Sequence, residues 1–299
     1  MLILTLIYSS KWESISENLK EIQDLLSLKN IEIRYCENNE GKTVFLKVYS
    51  KDASVAARAK RMFTIYLSNY LYKLSSEEFY NKYLDKVIND SYFFMDKKEI
   101  KKIRSMIKEV IINEGYLIDE SSIYYMNRKN EITSKIVEFI QNNDEFNLDG
   151  FMTFRIKEFL PNYEKMVDKI IEKYMVQKEY SEFVKLLKYF VDIQDYKIDE
   201  VNIVIDKEGN YKILNKKGED ILSDFLIDLS NTKFSGIVAM DDIIISGLIT
   251  NVPKRIVIHG SNNCKNKELI QTIKNVFLER VAFCNNCSFC NKETNPLKI

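Results

Sequence analysis

Over the first 75 positions the spacing of apolar residues alternates between the period of a strand and that of a helix. Leu2 to Tyr8 reads as a strand, and Ser14 to Leu28 places Ile15, Leu19, Ile22, Leu25 and Leu26 on one helical stripe. Ile31 to Tyr35 alternates with period two, Asn38 to Lys42 has the composition of a turn, and Thr43 to Tyr49 completes a hairpin. Ala53 to Leu74 then returns to helical spacing, with Ala56, Ala59, Met62, Phe63, Tyr66 and Tyr70 on the face to be buried. The pattern predicts a small β-α-β-β-α layer over residues 1–75.

From 76 to 195 nearly every segment has helical spacing, with polar joints near Asn89 to Asp96, Glu114 to Glu120 and Gln141 to Asn147. Asp149 is placed to cap a helix over Phe151 to Phe159. Pro161 suits the first turn of the next helix, because its missing N–H costs nothing there. That helix is expected to run to about Gln177. A further one over Tyr180 to Ile193 is expected to bury Phe183, Leu186, Leu187, Phe190 and Val191.

The pattern changes again over 196–299. Val201 to Ile205 and Tyr211 to Leu214 form a hairpin around the turn Asp206 to Asn210. Asp241 is expected to cap a short apolar helix through Ile249, which Pro253 stops. Arg255 to Ile258 then reads as a strand, and Lys267 to Phe283 as a last helix with Cys284 at its end. The fold class is therefore a helix-rich α+β protein in three segments: an N-terminal α/β unit, a helical middle and a C-terminal α/β region.

Composition narrows this picture. The chain has 299 residues, 45% of them hydrophobic, with only eight Gly and three Pro, so burial is not limiting and no segment reads as low-complexity. Lys plus Arg and Asp plus Glu are both 44, which leaves no global field to draw nucleic acid or an anionic membrane. The apolar start Met1 to Ile7 has no basic flank and is too short for a signal core. The region Ile237 to Ile249 is broken by Asp241 and Asp242, well short of the ~18 apolar residues a bilayer span requires. The expectation is a soluble cytoplasmic chain with no export route and no membrane span.

The strongest chemical signal is the run Cys284-Asn285-Asn286-Cys287-Ser288-Phe289-Cys290. Thiolates are soft ligands for zinc or an iron–sulfur cluster, and two-residue spacers let neighbouring sulfurs reach one centre. Four of the five cysteines fall in the last 36 residues, which suits a metal site in a reducing compartment better than a disulfide framework. The fourth ligand is either Cys264 or His259, the only histidine. A straight helix from Lys267 to Phe283 would hold Cys264 roughly 25 Å from Cys284, which counts against Cys264. An open coordination position, a site shared between subunits, and free or reversibly oxidised thiols are the alternatives.

Other motifs have plainer readings beside the functional ones. His259-Gly260-Ser261, between a strand and a helix, is a place to cradle an anion or an ordinary turn, and neither G-x-G-x-x-G nor a Walker sequence supports the former. Asp241 and Asp242 read as helix-capping acids before they read as a metal or acid/base pair. Lys97, Lys98, Lys101, Lys102, Arg104 and Lys108 make a basic helix face near Tyr92, Phe93 and Phe94. Asp96, Glu99 and Glu109 blunt its field, so a solvated face is expected and nucleic-acid contact is not favoured. No G-x-S-x-G, H-E-x-x-H or kinase motif occurs, so the reading leans away from an enzyme, although a carboxylate pair formed by the fold stays open.

The chain resembles the YtxC sporulation-protein family of endospore-forming Firmicutes. The likeness is carried by Asn147-Leu148-Asp149-Gly150-Phe151-Met152-Thr153-Phe154-Arg155, by Asp241 to Ile249 with Pro253 and the strand to His259, and by the C-x-x-C-x-x-C ending. The resemblance implies a cytoplasmic bacterial protein associated with sporulation and brings no reaction or cofactor with it. The expected function is a binding or regulatory module with a cysteine-ligated zinc or iron–sulfur site, acting on a protein partner, with oligomerisation open. An iron–sulfur or thiol-redox enzyme built on the same cysteines is the alternative.

Overall fold

The computed structural model describes residues 1–12, 14–115, 120–225, 239–284 and 287–291. The expected joint at 116–119, the start of the apolar region at 237–238, and Asn285 and Asn286 lie outside the described residues. The chain is a helix-rich α+β protein that divides into two compact units, Met1–Met175 and Val176–Ile299.

The N-terminal unit is built on a four-stranded sheet of order β2-β3-β1-β4, where β1 is Leu2–Ser9, β2 Ile33–Glu40, β3 Thr43–Ser50 and β4 Glu145–Asn147. The hairpin is longer and tighter than its alternation suggests: β2 runs on through Asn38, Asn39 and Glu40, and Glu40 pairs with Thr43 across Gly41-Lys42. Gly41 takes φ +64°, the conformation a two-residue hairpin turn demands. The helix Ser14–Ser27 buries Ile15, Leu19, Ile22 and Leu26, while Leu25 turns outward.

The helix Ala56–Glu78 contributes Ala59, Phe63, Leu67 and Leu71 to a core that continues without a break into the helices after residue 76. The joint before Asp149 holds a strand that periodicity does not reveal: three residues of β4 pair in parallel with Thr5 to Ile7 of β1.

Four expectations in the middle of the chain are corrected. Asn147, not Asp149, caps the short helix Leu148–Gly150, its side chain accepting from Gly150 N at 2.8 Å. The segment that follows is a π-turn, Phe151–Arg155, then a 3-10 turn, Ile156–Glu158. Beyond it one helix, Leu160–Asp192, stands where two were expected, since nothing between Gln177 and Tyr180 forbids helical backbone. In its last turns Leu187 and Val191 face the second core, as do the neighbouring positions at Val184, but Phe183, Leu186 and Phe190 are exposed rather than buried.

The C-terminal unit carries a second sheet, β6-β5-β7-β8, with β5 Ile198–Ile205, β6 Tyr211–Asn215, β7 Pro253–His259 and β8 Val281–Cys284. The β5–β6 hairpin forms around Asp206 to Asn210 as its composition requires, whereas β7 runs parallel to both β5 and β8. Helix Met240–Asn251 precedes β7 and helix Lys267–Phe277 follows it, both packing apolar faces on the sheet's core. The helix Met240–Asn251 is capped at Ala239 with no side-chain bond; Asp241 instead accepts from Asn266 Nδ2 at 2.7 Å.

The largest correction concerns the expected last helix. It stops at Phe277, Leu278 takes φ +48°, and after a 3-10 turn the residues Val281 to Cys284 pair with β7. Helical spacing in Val276 to Phe283 is overridden by a sheet edge that offers hydrogen bonds to an extended chain. Among the described residues, no helix is long and apolar enough to cross a membrane.

Candidate metal centre

The strand β8 changes the geometry of the cysteine run. Parallel pairing sets His259, the last residue of β7, directly beside Cys284, the last residue of β8. The chain then re-enters a short helix, Ser288–Asn291, which returns Cys290 to the same place, with Cys287 just ahead of it. The Nδ1 of His259 lies 3.3 Å from Cys287 Sγ and 3.5 Å from Cys290 Sγ; Cys290 Sγ lies 3.7 Å from Cys287 Sγ and 3.9 Å from Cys284 Sγ. All four ligand atoms fall within 4.8 Å of one another, so the group could hold a metal ion.

The imidazole is prepared for that role. His259 is buried, and its Nε2 lies 3.0 Å from Asn202 Oδ1. The amide of Asn202 is itself oriented, because its Nδ2 donates to Glu200 Oε1 and to the Asn215 carbonyl. Its oxygen must therefore accept from His259, which puts the ring proton on Nε2 and leaves the Nδ1 lone pair facing the thiols. A histidine ligand steadied through its second nitrogen is the usual arrangement at metal sites. Burial pushes the His259 pKa down, against the nearby Glu200 carboxylate, and so favours the neutral, ligating form.

The thiols are not equivalent. Burial works against ionising Cys287, but hydrogen bonds from the backbone N–H groups of Cys290 and Phe289 and from the Cys284 side chain outweigh it and bring its pKa below the ordinary thiol value. Burial pushes the Cys290 thiol up. Backbone N–H groups turned toward the first sulfur of a C-x-x-C turn stabilise the thiolate that a metal needs. The ring of Phe289 covers His259 edge-on at 5.5 Å between centroids.

Gly260 fits this corner because it takes φ +67°, and a Cβ there would lie 2.4 Å from the Ile205 carbonyl oxygen. The sequence His259-Gly260-Ser261 is thus a turn that lets β7 end beside β5.

Of the five sequence-derived candidates, the structure brings together His259, Cys284, Cys287 and Cys290. Cys264 stands apart from them: it is buried, its thiol donates to the Asn266 carbonyl at 3.0 Å, and it lies 3.3 Å from the Tyr211 hydroxyl. The helix expected to separate it from Cys284 ends early, at Phe277, and it is the hydrogen bonds of Cys264 that engage its thiol away from the group. Asn202 was missed, although a polar residue inside Val201 to Ile205, an otherwise apolar run, is a visible signal that a buried partner is required.

In the N-terminal unit Asp149 forms a different kind of centre. Its carboxylate accepts from Ser9 N at 2.7 Å, Ser9 Oγ at 2.9 Å and Trp12 Nε1 at 3.0 Å, and it pairs with Lys11 at 2.7 Å. In the basic run of the helix Lys97–Ile107, Arg104 pairs with Asp85 and lies over Tyr80, Lys102 lies over Tyr174, and Glu99 turns back to complete a capping box with Asp96.

The sequence profile of the YtxC-like family matches residues 65–282. "Uncharacterized protein YtxC" of Bacillus subtilis (strain 168) is 24% identical over 217 residues, which cover 71% of this chain and 73% of that protein. No solved structure matches the chain significantly. The matched span includes His259 and ends just before Cys284.

Proposed function

The chain belongs to the YtxC-like family, and from that premise we propose that it is a binding or regulatory protein whose C-terminal unit is clasped by one zinc ion on His259, Cys284, Cys287 and Cys290. The observation that carries this reading is the size of the ligand group. Zinc with Zn–S near 2.3 Å and Zn–N near 2.05 Å has tetrahedral edges of about 3.8 Å between sulfurs and about 3.6 Å between nitrogen and sulfur. The 3.7 and 3.9 Å sulfur separations and the 3.3 and 3.5 Å nitrogen–sulfur separations match those edges.

An iron–sulfur cluster divides its four protein ligands between two or more irons and so spreads them beyond the reach of one ion, and this compact group favours a single ion. Four protein ligands leave no open position, which supports a structural ion rather than one that activates water. The ion would tie the end of β8 and the helix Ser288–Asn291 to β7, coupling metal binding to local folding. Thiolate ligation suits a reducing compartment such as the cytoplasm, and the family resemblance supports a sporulation setting with a protein partner.

Elemental analysis and an ultraviolet–visible spectrum of protein purified without oxygen test the reading. One zinc per chain, lost in Cys287→Ser, is the expected result. Iron with sulfide and visible absorption would replace it with the redox alternative, and the absence of any metal in wild type would remove it.

A further inference from the structure

The part of the helix Leu160–Asp192 that follows Met175 carries an apolar arc wider than its contact with the core. Val184, Leu187 and Val191 pack on the core of the C-terminal unit. On the adjoining flank Val176, Phe183, Leu186, Tyr189 and Phe190, with Ile193 just past the end of the helix, are between 47% and 62% exposed. Val176, Phe183 and Phe190 recur every seven residues, and Leu186 and Ile193 each follow three later, which is the spacing of a coiled-coil seam. A continuous apolar stripe on a solvent face marks an interaction surface, whereas scattered single residues would not.

Area and charge select the occupant. Three aromatic side chains of roughly 150–250 Å² each and three smaller aliphatic ones, all about half exposed, offer roughly 550 Å², and two such stripes face to face bury roughly 1,100 Å², above the roughly 1,000 Å² a specific pair needs. Glu179 falls in line with the stripe, three residues after Val176. Parallel self-pairing would stack this carboxylate on its own copy. Antiparallel pairing instead sets Val176 against Ile193, Phe183 against Leu186 and Glu179 against Phe190, which holds the two carboxylates about three helical turns apart.

We propose that this stripe is a homodimer face, covered in solution by a second copy of the chain running antiparallel. The inference is independent of the metal, whose ligands lie elsewhere in the unit.

Sedimentation of the full chain from about 1 to about 100 μM, a range that brackets the dissociation of a small interface, tests it. Wild type is expected to be dimeric at the upper end. Phe183→Glu with Leu186→Glu is expected to be monomeric throughout, with circular dichroism and metal content unchanged. Leu186→Ala, which keeps helix propensity, is expected to raise the dissociation constant about tenfold. A wild type that stays monomeric overturns the proposal, as does a folded double variant that still dimerises. If the double variant fails to fold, an unchanged dissociation constant in Leu186→Ala overturns it.

Discussion

In the N-terminal unit the carboxylate of Asp149 is met by an indole N–H, a hydroxyl, a backbone N–H and a lysine, all from the first twelve residues. In the C-terminal unit the Nδ1 of His259 and three thiols face one another, and the contacts among them are longer and weaker than those at Asp149. Both centres join distant parts of the chain. The first is complete with protein groups alone, because an anion has found enough donors. The second gathers soft ligand atoms that gain little from each other and much from a cation. Metal dependence should therefore be confined to the C-terminal unit, and acid sensitivity of the Asp149 kind to the N-terminal one.

The comparison breaks most visibly if metal is withdrawn. A strong chelator is expected to abolish amide-exchange protection in β8 while leaving β1 and β3 protected, since the binding free energy of a structural zinc is folding free energy. Equal loss in both units would show that the division is wrong. Replacing Asn202 with Ala leaves His259 Nε2 without its acceptor and is expected to weaken the metal about 10- to 100-fold, as outer partners of ligating histidines do. Competition with a zinc indicator reads this directly, and an unchanged affinity would deny Asn202 its orienting role.

Asp149→Asn is expected to destabilise the N-terminal unit by roughly 1–3 kcal/mol, because it removes a charged acceptor from several donors. Metal content should not move. Its pH signature has a definite sign. Burial alone would raise the Asp149 carboxyl, but the hydrogen bonds from Lys11, Trp12 and Ser9 together bring it down to about 2. That lies below the ~3.9 of an unfolded aspartate, so the stabilisation is complete above about pH 4 and is lost as pH falls toward 2. Acid unfolding of wild type and Asp149→Asn should converge over that interval; parallel curves would locate the stabilisation elsewhere. The smallest effect is expected of Cys264→Ser, which keeps a donor for the Asn266 carbonyl. Metal stoichiometry should stay at the wild-type value, and a fall in it would return Cys264 to the ligand set.

These contrasts bear on what could be read in advance. The helix-rich α+β class, the N-terminal hairpin and the β5–β6 hairpin were legible because each depends on spacing and turn chemistry within a few residues. The C-x-x-C-x-x-C run was legible as soft-ligand chemistry for the same reason. The exposed flank of the helix Leu160–Asp192 was not, since an apolar arc this wide does not say how much of it meets the core. Asp149 looked like a cap because caps are local, and its actual partners at Ser9, Lys11 and Trp12 are far away in sequence.

The sequence alone thus determined which ligand atoms are available and which short elements form, both being properties of neighbouring residues. Only tertiary structure placed His259, and not Cys264, beside the three thiols. Parallel pairing of β7 with β8 cannot be inferred from either segment, because the hydrogen bonds that hold Val281 to Cys284 extended belong to a strand more than twenty residues earlier. Once that pairing forms, the end of one strand carries an imidazole and the end of the next a thiol, and Cys287 with the helix Ser288–Asn291 completes the group.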